Sequence, residues 1–307
     1  MLALATVAVN AQEVGDNGWK TDLSTTEKTA DLLRGGAMAI DNEGNSIVTG
    51  SFDKELWFGQ SYLEPIATSA FIAKYDKGGT EQWAASLQGA ATVTTVTTDA
   101  EGNVYAAGVF ADVVKIIDSE SCSVTINGME GQTEQVSGFI VKFDKNGIYL
   151  AHKVVIPEVN MVNENYGKPD LYFTPQKLTV SGDKVLLSAQ YTGKSDIDGL
   201  TLKGQYCNKT DWSYMYDIPT LGIISLSSDL NQASLVAQLA ATENETYDGF
   251  CAEDVNFATD GSKVYAGFVA YGSDLTLKSA NGSKQITDLL TQPNGEETQY
   301  EHAFILT

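Results

Sequence analysis

Apolar positions along this chain fall in short alternating runs, and clusters of Asp, Asn, Gly and Lys separate one run from the next. VYAAGVF at 104–110 follows DAEGN, and FIVKF at 139–143 precedes DKNG. A period of two marks strands, and residues that tolerate positive φ mark the tight turns between them. Around these runs the pattern predicts strands near Thr95–Thr98, Val104–Phe110, Phe139–Phe143 and Leu150–Val155. Only LSTTEKTADLLRGG at 23–36 hints at a helical period, so the expected class is all-β.

The runs repeat. Asp-x-x-Gly-Asn followed by an apolar run ending in Gly-x-Phe occurs at Asp41–Phe52 and at Asp99–Phe110. Weaker copies are GDKVLLSAQY at 182–191 and DGSKVYAGF at 260–268. A second phrase trails each copy: AFIAKYDKGGTEQW from Ala70, GFIVKFDKNGIYLA from Gly138, GIISLSSDLNQASL from Gly222 and AFILT from Ala303. Its starts lie 68, 84 and 81 residues apart. Each unit reads as four short antiparallel strands, and such a unit repeated around an axis is a β-propeller blade. Repeats are expected over about 37–88, 93–157, 175–241 and 255–307, within one domain spanning 12–307. The last unit stops at its third strand. Near the start, Trp19-x-x-x-Leu23 within 18–24 matches the fourth-strand pattern Trp83-x-x-x-Leu87. The expectation is therefore a propeller of four blades, closed by pairing of the N-terminal strand with the last blade, which removes two exposed edges.

The pairing of D-x-x-G-N-x-x-x-x-G with [AG]-F-I-x-K-[YF]-D-x-x-G resembles the SBBP-type β-propeller repeat of secreted bacterial proteins. The family usually has more than four blades. The resemblance implies an extracytoplasmic scaffold and transfers no catalytic residues.

Composition narrows the partners. Of 307 residues, 40 are acidic and 19 basic, a net charge of -21 that repels nucleic acid phosphates and anionic lipid heads. No apolar run is long enough to span a bilayer, so no membrane insertion is expected. MLALATVAVNA at 1–11 reads as the remnant of a signal peptide, with Val9 and Ala11 at the spacing signal peptidase prefers. Export to a periplasm or the medium follows as an expectation. Cys122, Cys207 and Cys251 are too scattered for a zinc site and are expected to be free, partly buried thiols.

Up-and-down strands place the one-to-two and three-to-four hairpins at one end of each blade. The long connections lie at the other: 53–69, 111–137, 192–221 and 271–302 within blades, 157–174 and 242–253 between them. VTING at 124–128, LTLKG at 200–204 and LTLKS at 275–279 look like an extra strand decorating each blade. DWSYMYD at 211–217 sets Trp212, Tyr214 and Tyr216 at alternate positions, with Tyr166, Tyr172, Phe173, Tyr247 and Phe250 on neighbouring connections. The ligand-binding expectation is Trp212, Tyr214, Tyr216, Tyr247 and Phe250, because aromatic faces suit sugars and peptide side chains. The alternative is a hydrophobic cluster that holds the loop down.

The acidic run at 241–254 and Asp41–Asn45 both suggest calcium, but the first fits no calcium loop and the second reads as a turn. His152 and His302 have no nucleophile in a recognisable frame, and G-x-S-x-G is absent. No catalytic residue, metal or cofactor is expected. The leading function is an exported, non-enzymatic binding module for a glycan or peptide. The alternatives are a glycan-active hydrolase using axial carboxylates such as Glu253 and Asp254, and a scaffold docking other surface proteins.

Overall fold

The computed structural model describes residues 24–25, 33–129, 136–158, 171–209, 214–241, 252–259, 263–270, 275–279, 282–285 and 302–306. Among these, every helix or strand present is a strand, and the resolved strand ladders are antiparallel. The chain divides into two compact units, 1–133 with 139–154 and 134–138 with 155–307.

The first unit begins with β1 (Ser24–Thr25), β2 (Leu33–Ile40), β3 (Ser46–Phe52), β4 (Leu56–Phe58), β5 (Ser61–Leu63), β6 (Ser69–Tyr75) and β7 (Glu81–Gln88). β2, β3, β6 and β7 pair in chain order as a meander. β8 (Ala91–Thr98), β9 (Val104–Phe110), β10 (Val113–Ile117), β11 (Ser123–Asn127), β12 (Ser137–Phe143) and β13 (Tyr149–Val155) follow, and β8, β9, β12 and β13 form the next meander. The expected first strand thus starts earlier, at Ala91. Leu33–Gly36, the end of the segment with a helical hint, lies in β2.

The middle strands β6 and β9 are buried almost throughout. Apolar side chains on both of their faces find a core, which is why these runs are nearly continuously hydrophobic. One core cluster joins Ile47, Ile72 and Leu87 to Val104, Phe139 and Phe143. A second lies on the other face of the first meander, where Phe52, Phe71 and Ala84 meet Leu56, Phe58 and Leu63 of the β4–β5 hairpin. Phe58 and Phe71 are 4.8 Å apart between ring centroids.

The repeated phrase is a turn. Asp41 Oδ1 accepts the backbone N–H groups of Glu43 and Asn45, each at 2.9 Å, and the Gly44 N–H donates to the Asp41 carbonyl. Gly44 adopts φ +82°, which a side chain would strain. The same pattern recurs at Asp76, Asp99, Asp118 and Asp144. One oxygen of each carboxylate is taken up by the backbone of its own turn, as such a turn requires.

The Gly-x-Phe end of the phrase marks a second device. A β-bulge interrupts the first strand of each meander, between Gly35 and Met38 and between Val93 and Thr95. The pairs preceding the shift are Gly35–Gly50 and Val93–Gly108, so the phrase supplies its glycine opposite the residue where the bulge begins.

The second unit contains β14 (Phe173–Ser181), β15 (Lys184–Tyr191), β16 (Lys194–Ile197), β17 (Leu200–Lys203), β18 (Gln205–Lys209), β19 (Tyr214–Ile218), β20 (Thr220–Ser227), β21 (Ala233–Ala241), β22 (Ala252–Thr259), β23 (Val264–Ala270), β24 (Leu275–Ser279), β25 (Gly282–Gln285) and β26 (His302–Leu306). β14, β15, β20 and β21 make one meander, and β22, β23 and β26 a three-stranded sheet. Their first strands also carry bulges, at Pro175/Lys177 and Glu253/Asn256.

Two of the insertions between second and third strands share one arrangement. β10 pairs with β7, the outer strand of the preceding meander, and β24 pairs with β21 in the same way. At the start of β16, Lys194 bridges to Glu158, just beyond β13. VTING and LTLKS are therefore strands, but they extend the preceding sheet rather than decorating their own. In the first meander, the insertion strand β4 pairs with Ser24–Thr25. Residues 18–23 lie outside the described residues.

Candidate functional site

The first unit presents two unlike ends. At the short-turn end of the first unit, the polar groups are spent on joining the two meanders. Lys74 Nζ pairs with Asp41 Oδ2 at 2.9 Å, both side chains buried. Burial alone would raise the Asp41 carboxyl, but hydrogen bonds from Lys74 and Asn45 outweigh it and hold the pKa below the ordinary value. Lys74 also donates to the Lys145 carbonyl, as does Trp83 Nε1 at 3.0 Å. Asn42 Nδ2 donates to the Ala100 carbonyl, and Thr98 Oγ1 to the Ile40 carbonyl. In the second copy, Tyr105 takes over part of this role. Its hydroxyl donates to Asp99 Oδ2 at 3.2 Å, while Lys142 lies 5.0 Å over its ring. This end is a latch, with its turn carboxylates already engaged.

The long-insertion end of the first unit carries the β4–β5 hairpin. Alternation sends Leu56, Phe58 and Leu63 inward and turns Trp57 and Tyr62 outward. Trp57 and Tyr62 are direct cross-strand partners, with ring centroids 4.8 Å apart and planes inclined by 46°. Tyr62 is 42% exposed. Desolvation, followed by a hydrogen bond to Glu55 and the charges of Glu55 and Glu64, pushes its hydroxyl up to about 12. Glu81 pins the hairpin turn by accepting from Ser61 Oγ at 2.6 Å and from the Gln60 N–H. Sequence reading missed Trp57 and Tyr62 because they sit on different strands. The available signal was the Gly59-Gln60 turn between LWF and SYL, which places them opposite one another.

Of the aromatic residues expected to bind ligand, Tyr214 and Tyr216 lie on β19, opposite Lys209 and Cys207 of β18. The structure describes only their backbone. Trp212, Tyr247 and Phe250 lie outside the described residues, as does Tyr166. Tyr172 is half-buried, and its N–H donates to Thr192 Oγ1. Phe173 is fully buried and stacks on Tyr191 with centroids 5.9 Å apart, so it belongs to the core and not to a binding face. Glu253 and Asp254 lie on β22, again with only the backbone described. Most of the acidic run at 241–254 is outside the described residues.

Cys122 is exposed rather than partly buried, because it closes the Asp118 turn through its backbone N–H. His152 on β13 accepts or shares a 2.6 Å hydrogen bond between Nδ1 and the Tyr149 hydroxyl. Burial, then the charge of Lys153, holds its pKa below the usual histidine value. A cavity of about 500 Å³ in the second unit lies among Asp198, Gly199, Leu200, Ser234, Leu235 and Ser279. It offers one carboxylate, hydroxyls and aliphatic walls. Among the described residues, no group of three His, Cys, Asp or Glu side chains is placed to hold a metal ion.

The fold defines an all-β protein of successive antiparallel meanders, two of whose insertions extend a neighbouring sheet. No family profile matches the chain. It is 30% identical over 165 residues to an uncharacterized WD repeat-containing protein of Acanthamoeba polyphaga mimivirus, a stretch covering 48% of this chain and 12% of that protein. Among solved structures, a periplasmic gluconolactonase of Pseudomonas aeruginosa aligns over 85% of this chain and 76% of its own, at 10% identity and a TM-score of 0.34. A protein from Lactobacillus plantarum aligns over 90% and 72%, at 10% identity and a TM-score of 0.28.

Proposed function

We propose that this chain is an exported, non-enzymatic β-propeller that binds a glycan or a peptide through the end carrying its long insertions. The observation that carries this reading is the contrast between the two ends. Turn carboxylates at the short-turn end are engaged by backbone N–H groups and by side chains such as Lys74, whereas an insertion presents the exposed ring of Tyr62. The leader-like Met1–Ala11 supports export. The test is a screen of glycans and peptides against the full chain, repeated with Trp212→Ala and Tyr216→Ala. Binding that weakens in these variants, with the unfolding transition unchanged, supports the reading. Absence of any ligand at millimolar concentration overturns it.

The propeller is proposed to have four blades and to close through its N-terminal strand. Two insertions elsewhere pair with the outer strand of the preceding meander, β10 with β7 and β24 with β21. By that arrangement, the partner of β4, Ser24–Thr25, occupies the outer-strand slot of the blade preceding the first. In a ring that blade is the last, and among the described residues its sheet holds the three strands β22, β23 and β26. Deleting residues 1–25 should therefore remove hydrogen-exchange protection from alternate amides of His302–Leu306. Unchanged protection there would refute closure.

A further inference from the structure

The β4–β5 hairpin is built on one side for packing and on the other for something else. Leu56 and Leu63 are cross-strand partners with their side chains buried. The residues that flank this pair in sequence are Glu55 and Glu64. By alternation both share the outward face with Trp57 and Tyr62. Both glutamates are exposed, and both raise the Tyr62 hydroxyl through their charge.

Adjacent like charges weaken a strand pair. Here two carboxylates flank two rings on a hairpin of two three-residue strands whose inner face already secures it against Phe71. A cation placed over the rings would meet the negative faces of Trp57 and Tyr62 and relieve the repulsion between Glu55 and Glu64. Charged and aromatic groups combine in this way where proteins recognise ammonium and guanidinium groups. A neutral sugar would leave that repulsion in place.

We propose that Trp57, Tyr62, Glu55 and Glu64 form a receptor site for a cationic side chain, and that the occupant is a basic peptide segment presenting lysine or arginine. This rests on the binding-module reading and selects the peptide over the glycan. It lies on a different insertion from Trp212, so the two can fail separately.

The test uses the full chain and two probes, a tetra-arginine amide and a neutral chitohexaose, followed by the indole N–H resonance of Trp57 in NMR titrations. The arginine probe is expected to shift that resonance. Glu55→Gln with Glu64→Gln, or Trp57→Ala read by calorimetric titration because it lacks the indole reporter, should weaken binding roughly 3- to 30-fold, the range of a single cation–π contact. Glu43→Gln with Glu101→Gln removes the same charge at the short-turn end and should leave affinity within about twofold. The glutamine variants preserve side-chain size, and Tyr62→Phe retains the ring should Trp57→Ala fail to fold. Equal weakening by both glutamine pairs would reduce the effect to net charge and overturn the site. A Trp57 shift with chitohexaose but none with the peptide would overturn the cation assignment while leaving the binding module standing. Binding sensitive to Trp212→Ala alone would remove this site and retain the other.

Discussion

Lys74 and Asp41 form an ion pair at 2.9 Å whose side chains are 6% and 2% exposed, and they come from two phrases that recur separately along the sequence. The lysine of the second phrase closes on the aspartate that builds the turn of the first. Two repeated motifs are thus halves of one device in the first meander.

Removing one partner strands the other. Lys74→Met leaves the Asp41 carboxylate buried without its countercharge and should destabilise the chain by roughly 3–5 kcal/mol in urea unfolding. Adding Asp41→Asn to that variant should recover part of the loss, because the neutral amide is cheaper to bury. Equal stabilities for the single and double variants would contradict the pairing.

Acid should act through the same carboxylate. The folded pKa of Asp41 lies below its unfolded value of 3.8, so its contribution is present above 3.8 and lost as pH falls through the folded value. In the Lys74→Met variant that decline should begin at a higher pH. Unfolding midpoints measured across the acid range give the comparison.

His152 works in a different window. Its folded pKa lies below 6.5, so the neutral ring contributes stability above that pH, and the contribution is lost as pH falls through the folded value. Lys153→Gln removes the neighbouring positive charge and should move the titration upward. Carbon-bound proton shifts of the His152 ring, followed by NMR, report it directly.

Two glycines separate backbone strain from packing. Gly44 and Gly147 have nearly the same φ, +82° and +84°. A Cβ on Gly44 would meet only Lys77 Cβ at 4.0 Å, whereas one on Gly147 would lie 2.5 Å from the Trp83 ring. Gly44→Ala should cost about 1–3 kcal/mol from the backbone alone. Gly147→Ala should cost more and alter Trp83 fluorescence, which Gly44→Ala should not. Equal losses and an unchanged emission spectrum would discount the ring contact.

Local chemistry made much of the fold legible. Val104–Phe110 occupies the range its alternation predicts, and Asp41–Asn45 and Asp99–Asn103 are the turns their Asp and Gly residues predict. These features depend on neighbours within a few positions, so the sequence states them directly. Charge and the leader-like start supply only expectations about partners and cellular address.

Tertiary structure decided what depends on distant pairing. The apolar run of β10 does not say that it will join β7, since any exposed edge offers the same backbone hydrogen bonds; packing geometry selects the preceding meander. Nor does LWFGQSYL reveal which of its faces is covered. Only the arrival of Phe52 and Phe71 beneath Leu56, Phe58 and Leu63 turns Trp57 and Tyr62 outward beside Glu55 and Glu64. A strand's alternation defines two faces, and the long-range contacts of the core choose which one meets solvent.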